Sequence, residues 1–247
     1  MSGHSKWSTI KNKKGKLDAK RGNIFTKIGR EIAVAVKQGG ADPNMNPRLR
    51  DAIQKAKENN MPNDNINRSI KKASGDMDGV NYEEIIYEGY GSGGIAVIVK
   101  TLTDNKNRTA GDVRHAFDKY NGSLGASGCV SYMFKRRGVI ITDKSMDEEE
   151  LMLQALEAGA EDIIEKDDLV EIYTEPTNYK EVLDALKAQG IEIINSEITM
   201  VADNEIEPED KYISSFTKMI DMLEDNDDVQ EVFHNAILKD MEDSDGY

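Results

Sequence analysis

Residues 1–22, MSGHSKWSTIKNKKGKLDAKRG, carry seven cations, Lys6, Lys11, Lys13, Lys14, Lys16, Lys20 and Arg21, against one acid, Asp18. Cations at this density neutralise phosphates and release the counterions condensed on a nucleic acid, an affinity term that falls steeply with salt. Trp7, the only tryptophan, lies among them. A flat aromatic beside a cationic track either stacks on an unpaired base or tucks onto a neighbouring apolar surface. The basic series continues through Arg48, Arg50, Lys55 and Lys57 and then Arg68, Lys71 and Lys72. Around NNMPNDN two short helical patterns permit a helix-turn-helix, with Asn65, Asn67 and Arg68 near the start of the second helix as base readers; helix pairs that merely pack have the same pattern. Arg108, Asp112, His115 and Lys119 recur every three or four residues and so share one helix face, offering either a second nucleic-acid contact or a solvated surface.

Other chemistries find less support. Cys129 and His115 would supply a nucleophile and a base, but Cys129 stands in the small-residue run GASGCV and no third group orients the pair, so a buried structural thiol is expected and no enzyme. GYGSGG, residues 89–94, runs into the strand-like IAVIVKT rather than into a helix and lacks the lysine of a phosphate loop, which makes it a hairpin turn. EDNDDVQE resembles a calcium loop in charge alone: counted from Asp225, the fifth position is Val229 and the sixth Gln230, where an oxygen ligand and a glycine are needed. The expectation for this run is solvated acidic surface. One cysteine and three scattered histidines give neither an internal disulfide nor zinc spacing, so no metal or cofactor is expected.

Charge divides the chain. Residues 1–75 hold 17 Lys and Arg against 6 Asp and Glu, a balance of +11, whereas residues 76–247 hold 15 against 40, a balance of −25. Such asymmetry predicts partners: nucleic acid at the basic end and, at the acidic end, either repulsion of nucleic acid or attraction of a basic protein. No apolar run approaches the roughly 20 residues that cross a bilayer, and the N-terminus lacks the hydrophobic core of a secretory signal. A transit peptide would be richer in Arg and Ser, so the expected location is the cytoplasm.

The elements that must position these residues follow from periodicity. Ile24, Ile28, Ile32, Ala35 and Val36 predict a helix over 23–37 that stops at Gly39 and Gly40. Asn46 caps and Pro47 opens a second helix, whose buried face holds Leu49, Ala52, Ile53 and Ala56, and Ile66, Ile70 and Ala73 mark a third. Past the SGDMDG linker the period shortens. YEEIIYEGY and GIAVIVKTLT predict strands, DNKNRTAGDVRHAFDKY a helix, and GASGCVSYMF another strand. From GVIITD to EIINSEITMV the order is βαββαβ, the ferredoxin-like pattern with right-handed crossovers. A terminal helix in PEDKYISSFTKMIDMLED and a short strand in VQEVFHN cannot form a core alone and should rejoin residues 80–132. The expected fold is therefore α+β and multidomain: a basic head over 1–22, a three-helix bundle over 23–75, a discontinuous α+β domain over 80–132 and 206–240, and a ferredoxin-like domain over 133–205 inserted in it.

GHSKW, KRGNIFTKIGREIAVAVKQGG, DPNMNPRLRDAIQKAKENNMPNDNI, YEGYG, LTDNKNRTAGDVRHAF, GSLGASGCVSYMF and LEDNDDVQEVFHN resemble the signature segments of the YebC/PmpR family and spread over almost the whole chain. The resemblance implies an N-terminal three-helix bundle, two further α+β domains and a gene-expression factor without enzymatic activity. Its members are described as probable DNA-binding transcriptional regulators of the cytoplasm. Others are mitochondrial translational activators of a cytochrome oxidase subunit that act on the ribosome, or bacterial relatives linked to relief of stalling at proline-rich stretches. The implied partner is thus DNA or the ribosome's rRNA and tRNA, with the head and bundle as the contact region. Ser92 stands where a proline is common in the family, a difference that bears on turn stiffness.

Overall fold

The structure, a computed structural model, describes residues 21–75, 81–144, 148–166 and 169–238. Among these, the chain divides into two compact units, one comprising 21–130 and 210–232 and the other 131–209 and 233–238.

Three helices open the first unit: α1 (Arg21–Gly39), α2 (Pro47–Glu58) and α3 (Asn63–Ser74). The helical spacing of apolar residues brings Ile28, Ile32, Ala35 and Val36 of α1 against Leu49, Ala52 and Ala56 of α2, with Met61 and Ile66 completing the core. Gly40, with φ +84°, ends α1 in the left-handed conformation that glycine adopts without penalty. Asn46 then fixes the corner: its side chain accepts from Leu49 N (3.1 Å) and donates to the carbonyls of Ala35 (2.7 Å) and Gly40 (2.8 Å). A Cβ on Gly39 would lie 2.7 Å from the Asn46 amide, so the helix end and its neighbour's cap fit only with glycine there.

A four-stranded sheet continues the unit. β1 (Glu83–Tyr90) and β2 (Ala96–Thr103) form an antiparallel hairpin whose turn, as expected from GYGSGG, uses Gly93 and Gly94 at positive φ. Helix α4 (Lys106–Lys119), capped by Asn105, leads to the two-residue strand β3 (Ser123–Leu124) on the other edge of β1. Helix α7 (Asp210–Glu224) returns to pack on α4, burying Phe117, Phe216 and Met219. Strand β8 (Val229–His234) then pairs beside β2 and completes the order β3-β1-β2-β8. The strand expected in GASGCVSYMF is corrected: residues 125–130 form a loop, a single 3₁₀ turn covers Ser131–Met133, and extended structure resumes only at Phe134. The buried Glu88 carboxylate accepts from Gly128 N (2.8 Å) and Val130 N (2.9 Å), so these backbone donors pair with a side chain instead of a neighbouring strand.

The second unit contains β4 (Phe134–Asp143), α5 (Glu148–Glu157), β5 (Asp162–Lys166), β6 (Leu169–Thr174), α6 (Tyr179–Ala188) and β7 (Ile193–Ala202). Its sheet runs β5-β6-β4-β7 with antiparallel neighbours, the ferredoxin-like arrangement, and it is inserted between β3 and α7. Ile140, Val170 and Ile172 of the sheet meet Leu151 and Ala155 of α5 and Val182 and Leu186 of α6 in one core. Among the described residues no helix is long and apolar enough to cross a membrane.

Candidate nucleic-acid interface

The bundle's core dictates which cations face outward. With Ile66, Ile70 and Ala73 of α3 turned inward, Asn67, Arg68, Lys71 and Lys72 are exposed, while Asn65 is half-buried. On α2 the inward Leu49 and Ala52 leave Arg50 and Lys57 exposed. No described residue pairs with the side chains of Arg50, Lys57, Arg68 or Lys71. Arg48 and Lys55 are differently placed: Arg48 pairs with Glu84 and donates to Gln38 (2.7 Å), and Lys55 pairs with Glu31 at 2.6 Å. Lys6, Trp7, Lys11, Lys13, Lys14, Lys16 and Lys20 lie outside the described residues, as does the side chain of Arg21.

A buried carboxylate anchors the bundle to the sheet. Asp228, at the foot of β8, has a side chain only 3% exposed. It pairs with Arg30 of α1 and with Arg108 of α4 (Nη2 to Oδ2 2.8 Å), and it accepts from the hydroxyls of Thr109 (2.6 Å) and Thr103 (3.2 Å). Arg30 also donates to the carbonyls of Leu102 (3.2 Å) and Asp227 (2.9 Å), and Lys27 to that of Glu224 (2.6 Å). Burial raises the Asp228 pKa, but the hydrogen bonds from Thr109, Arg108 and Arg30 outweigh it and hold the carboxyl below its ordinary value. The acidic run EDNDDVQE is therefore not uniformly solvated: two guanidinium groups and two hydroxyls compensate the desolvation of its fourth acid.

This network also absorbs part of the expected second contact. Arg108 is held by Asp228 and by Asp104 (2.8 Å), and Asp112 accepts from Asn226 (3.1 Å). His115 and Lys119 stay exposed, Lys119 lying 5.4 Å from the Tyr120 ring centroid. Burial and the charge of Glu88 push the Cys129 thiol up, which disfavours the nucleophilic thiolate. Among the described residues no His, Cys, Asp and Glu cluster could hold a metal ion.

Two grooves flank the bundle within this unit, and their electrostatics differ. The larger, about 490 Å³, is lined by Arg48, Lys55 and Lys100 together with Glu31, Asp51, Glu84 and Glu231; each cation there is paired with one of the acids, Lys100 to Glu231 at 3.4 Å. The smaller, about 340 Å³, lies between α1 and α3 and is lined by Arg30, Lys37 and Lys72, by the aromatic rings of Phe25 and Tyr82 and, among the described residues, by no acid. Sequence reasoning missed Arg30, Asp228, Glu88, Phe25 and Tyr82. The signal for Phe25 was present, an aromatic just off the apolar stripe of α1. Nothing local distinguishes Asp228 from the acids beside it.

Comparison with known proteins places this arrangement. Residues 5–76 match the model of the TACO1/YebC protein N-terminal domain, and residues 82–236 that of the TACO1/YebC second and third domain. The chain is 58% identical to a probable transcriptional regulatory protein of Trichlorobacter lovleyi over 95% of both chains. It is 54% identical to one of Thermoanaerobacter pseudethanolicus over 98% of this chain and 100% of the other. The crystal structure of a conserved hypothetical protein from Aquifex aeolicus superposes with a TM-score of 0.76 at 45% identity, covering 92% of this chain and 95% of that one.

Proposed function

Because the chain belongs to the TACO1/YebC family, whose relatives bear the name of probable transcriptional regulatory proteins, we propose that it is a non-enzymatic nucleic-acid-binding regulator of gene expression, acting in the cytoplasm on DNA. The observation that carries this reading is the set of exposed cations on α2 and α3, Arg50, Lys57, Arg68 and Lys71, none of which pairs with an acid among the described residues. Each can neutralise a phosphate, and residues 1–22 carry seven further cations in the sequence. The Arg30–Asp228 anchor holds α1, against which α2 and α3 pack, to the sheet, so the backbone that carries these cations needs little ordering on binding. The balance of −25 over residues 76–247 keeps nucleic acid to the basic end and suits a basic protein partner.

A second reading, a ribosome-associated translation factor holding rRNA or tRNA, is favoured by one observation: the groove whose described lining combines cations with Phe25 and Tyr82. Folded RNA offers unpaired bases for such rings, whereas a closed duplex does not.

The test is binding of labelled duplex DNA and hairpin RNA measured against salt. Reversing Arg50, Arg68 and Lys71 to Glu together should flatten the slope of log affinity against log salt by about 2 to 3 on duplex DNA, roughly 0.9 for each phosphate no longer neutralised. Unchanged slope and affinity on both probes would overturn the reading. Steeper, tighter binding to the hairpin than to the duplex would decide for the translation factor.

A further inference from the structure

We propose that Met45, at the corner between α1 and α2, is an apolar wedge that enters a kinkable base step of duplex DNA while cations of α2 hold the neighbouring phosphates. The inference rests on the nucleic-acid reading above, in its DNA form, and deepens it by naming how the duplex is recognised. Met45 is 79% exposed, more than any other large hydrophobic residue among those described. Isolated exposed apolar side chains are common, so exposure alone decides nothing. What sets Met45 apart is how it is held. The Asp42 carbonyl accepts from Met45 N (3.1 Å) and Asn46 N (3.0 Å), and the Asp42 carboxylate from Asn44 N (2.9 Å) and Nδ2 (3.0 Å). Asn46, only 4% exposed, ties the next position to both helices through its bonds to Ala35, Gly40 and Leu49. The backbone of residues 42–46 is thus fixed from both sides while the Met45 side chain stands in solvent, so burying it against a ligand requires little ordering of the loop.

Charge identifies the class of partner. The acid of the corner, Asp42, has its carboxylate turned back on Asn44, and the first turn of α2 holds no acid. Arg50 and Lys57 follow on one face of α2, both exposed and neither paired with a described residue, whereas Asp51 lines the larger groove. Arg50 and Lys57 are separated by about 10 Å along the helix axis, close to three base-pair rises. An apolar tip continued by a row of cations suits a polyanion with an apolar interior, which is a stack of bases between phosphate strands; an apolar protein surface would leave the row unanswered. Methionine, unbranched and polarisable, fills the irregular gap between partly unstacked bases and is among the side chains that wedge such steps apart. Recognition of this kind reads the ease of kinking rather than base edges, and pyrimidine–purine steps such as TpA kink most readily.

The experiment uses the full chain and two end-labelled DNA duplexes equal in length and base composition, one containing TpA steps and one whose stiff A-tracts contain none, with a hairpin RNA beside them. The wild type should bind the TpA duplex more tightly, shorten the distance between its end labels, and raise the fluorescence of a 2-aminopurine placed at the step. Met45→Ala should lower affinity for the TpA duplex about tenfold, the scale of one apolar side chain returned to water, and abolish both distortion signals. It should leave the stiff duplex and the salt slope unchanged, because no phosphate contact is lost. Met45→Leu should retain the wild-type behaviour. Unchanged affinity and distortion in Met45→Ala, or equal losses on both duplexes, would overturn the wedge, as would a loss confined to hairpin RNA. Met45 is exposed, so its replacement leaves the bundle folded, which thermal unfolding of the variant checks. If the salt slope responds to reversal of Arg50, Arg68 and Lys71 while Met45→Ala does nothing, the wedge fails and the nucleic-acid reading stands; if neither responds, both fail.

Discussion

Asp228→Ala is the perturbation from which most is learned. In the native protein the carboxylate answers Arg30, whose side chain is 15% exposed, and Arg108, which is 45% exposed and keeps Asp104 as a second partner. Removing it strands Arg30 among Leu102, Asp227 and Tyr82, while Arg108 turns toward water. Breaking a buried pair from one side costs about 3–5 kcal/mol. Because Arg108 relaxes, the lower end applies, and we expect a loss of about 3 kcal/mol, with Asp228→Asn near 2 because the amide oxygen still accepts from Thr109. Hydrogen exchange read peptide by peptide is the suitable assay, since a chain of two compact units need not unfold in one step. Protection should fall in α1 and β8 and be unchanged in β4 through β7. The pH dependence has a fixed sign. The Asp228 carboxyl is lowered on folding, so the unfolded chain binds more protons between the two pKa values and stability rises with pH there. The advantage of the wild type over Asp228→Asn should thus be full above the ordinary Asp value of about 4 and shrink as pH falls through the lower folded value. A loss under about 1 kcal/mol, or exchange in α1 equal to wild type, would refute the anchor.

Two further outcomes follow from buried groups elsewhere. Glu88→Gln places an amide NH₂ opposite the N–H groups of Gly128 or Val130, so loop 125–130 should lose about 1–3 kcal/mol of local stability by hydrogen exchange; with the neighbouring charge gone, the Cys129 thiol pKa should fall and its reaction with a disulfide reagent near pH 8 should quicken. Gly138→Ala sets a Cβ against Thr174 and 2.7 Å from Tyr179, and thermal unfolding should show the ferredoxin-like unit weakened by about 1–3 kcal/mol while exchange in α1 to α3 is unaffected.

How far the fold can be read from the chain depends on whether the signal is local. Ile24, Ile28 and Ile32 fall on one helical face whatever they pack against, and the βαββαβ order survives because each element declares its own period. Residues 125–130 defeat that logic. Their small residues fit a buried strand, but Glu88, some forty residues earlier, claims their backbone donors. The cations divide in the same way: Arg50 and Arg68 are outward because Leu49 and Ile66 are inward, a local consequence, whereas the pairing of Arg48 with Glu84 and Lys55 with Glu31 requires knowing which helix lies beside which strand. Asp228 is the extreme case, since an acid within an acidic run becomes a buried anchor only through an arginine 198 positions away.

That separation has a consequence for the order of manufacture. As the chain leaves the ribosome, α1 to α4 and β1 to β3 emerge with one edge of β2 bare and Arg30 lacking its counter-charge, and the whole ferredoxin-like unit is synthesised before either is remedied. The inserted unit, almost contiguous, can finish first; the unit that began earlier closes only when residues 210–232 arrive. During that interval the uncovered edge of β2 is open to pairing with other chains, so a nascent chain halted after residue 209 should be more prone to associate than the finished protein.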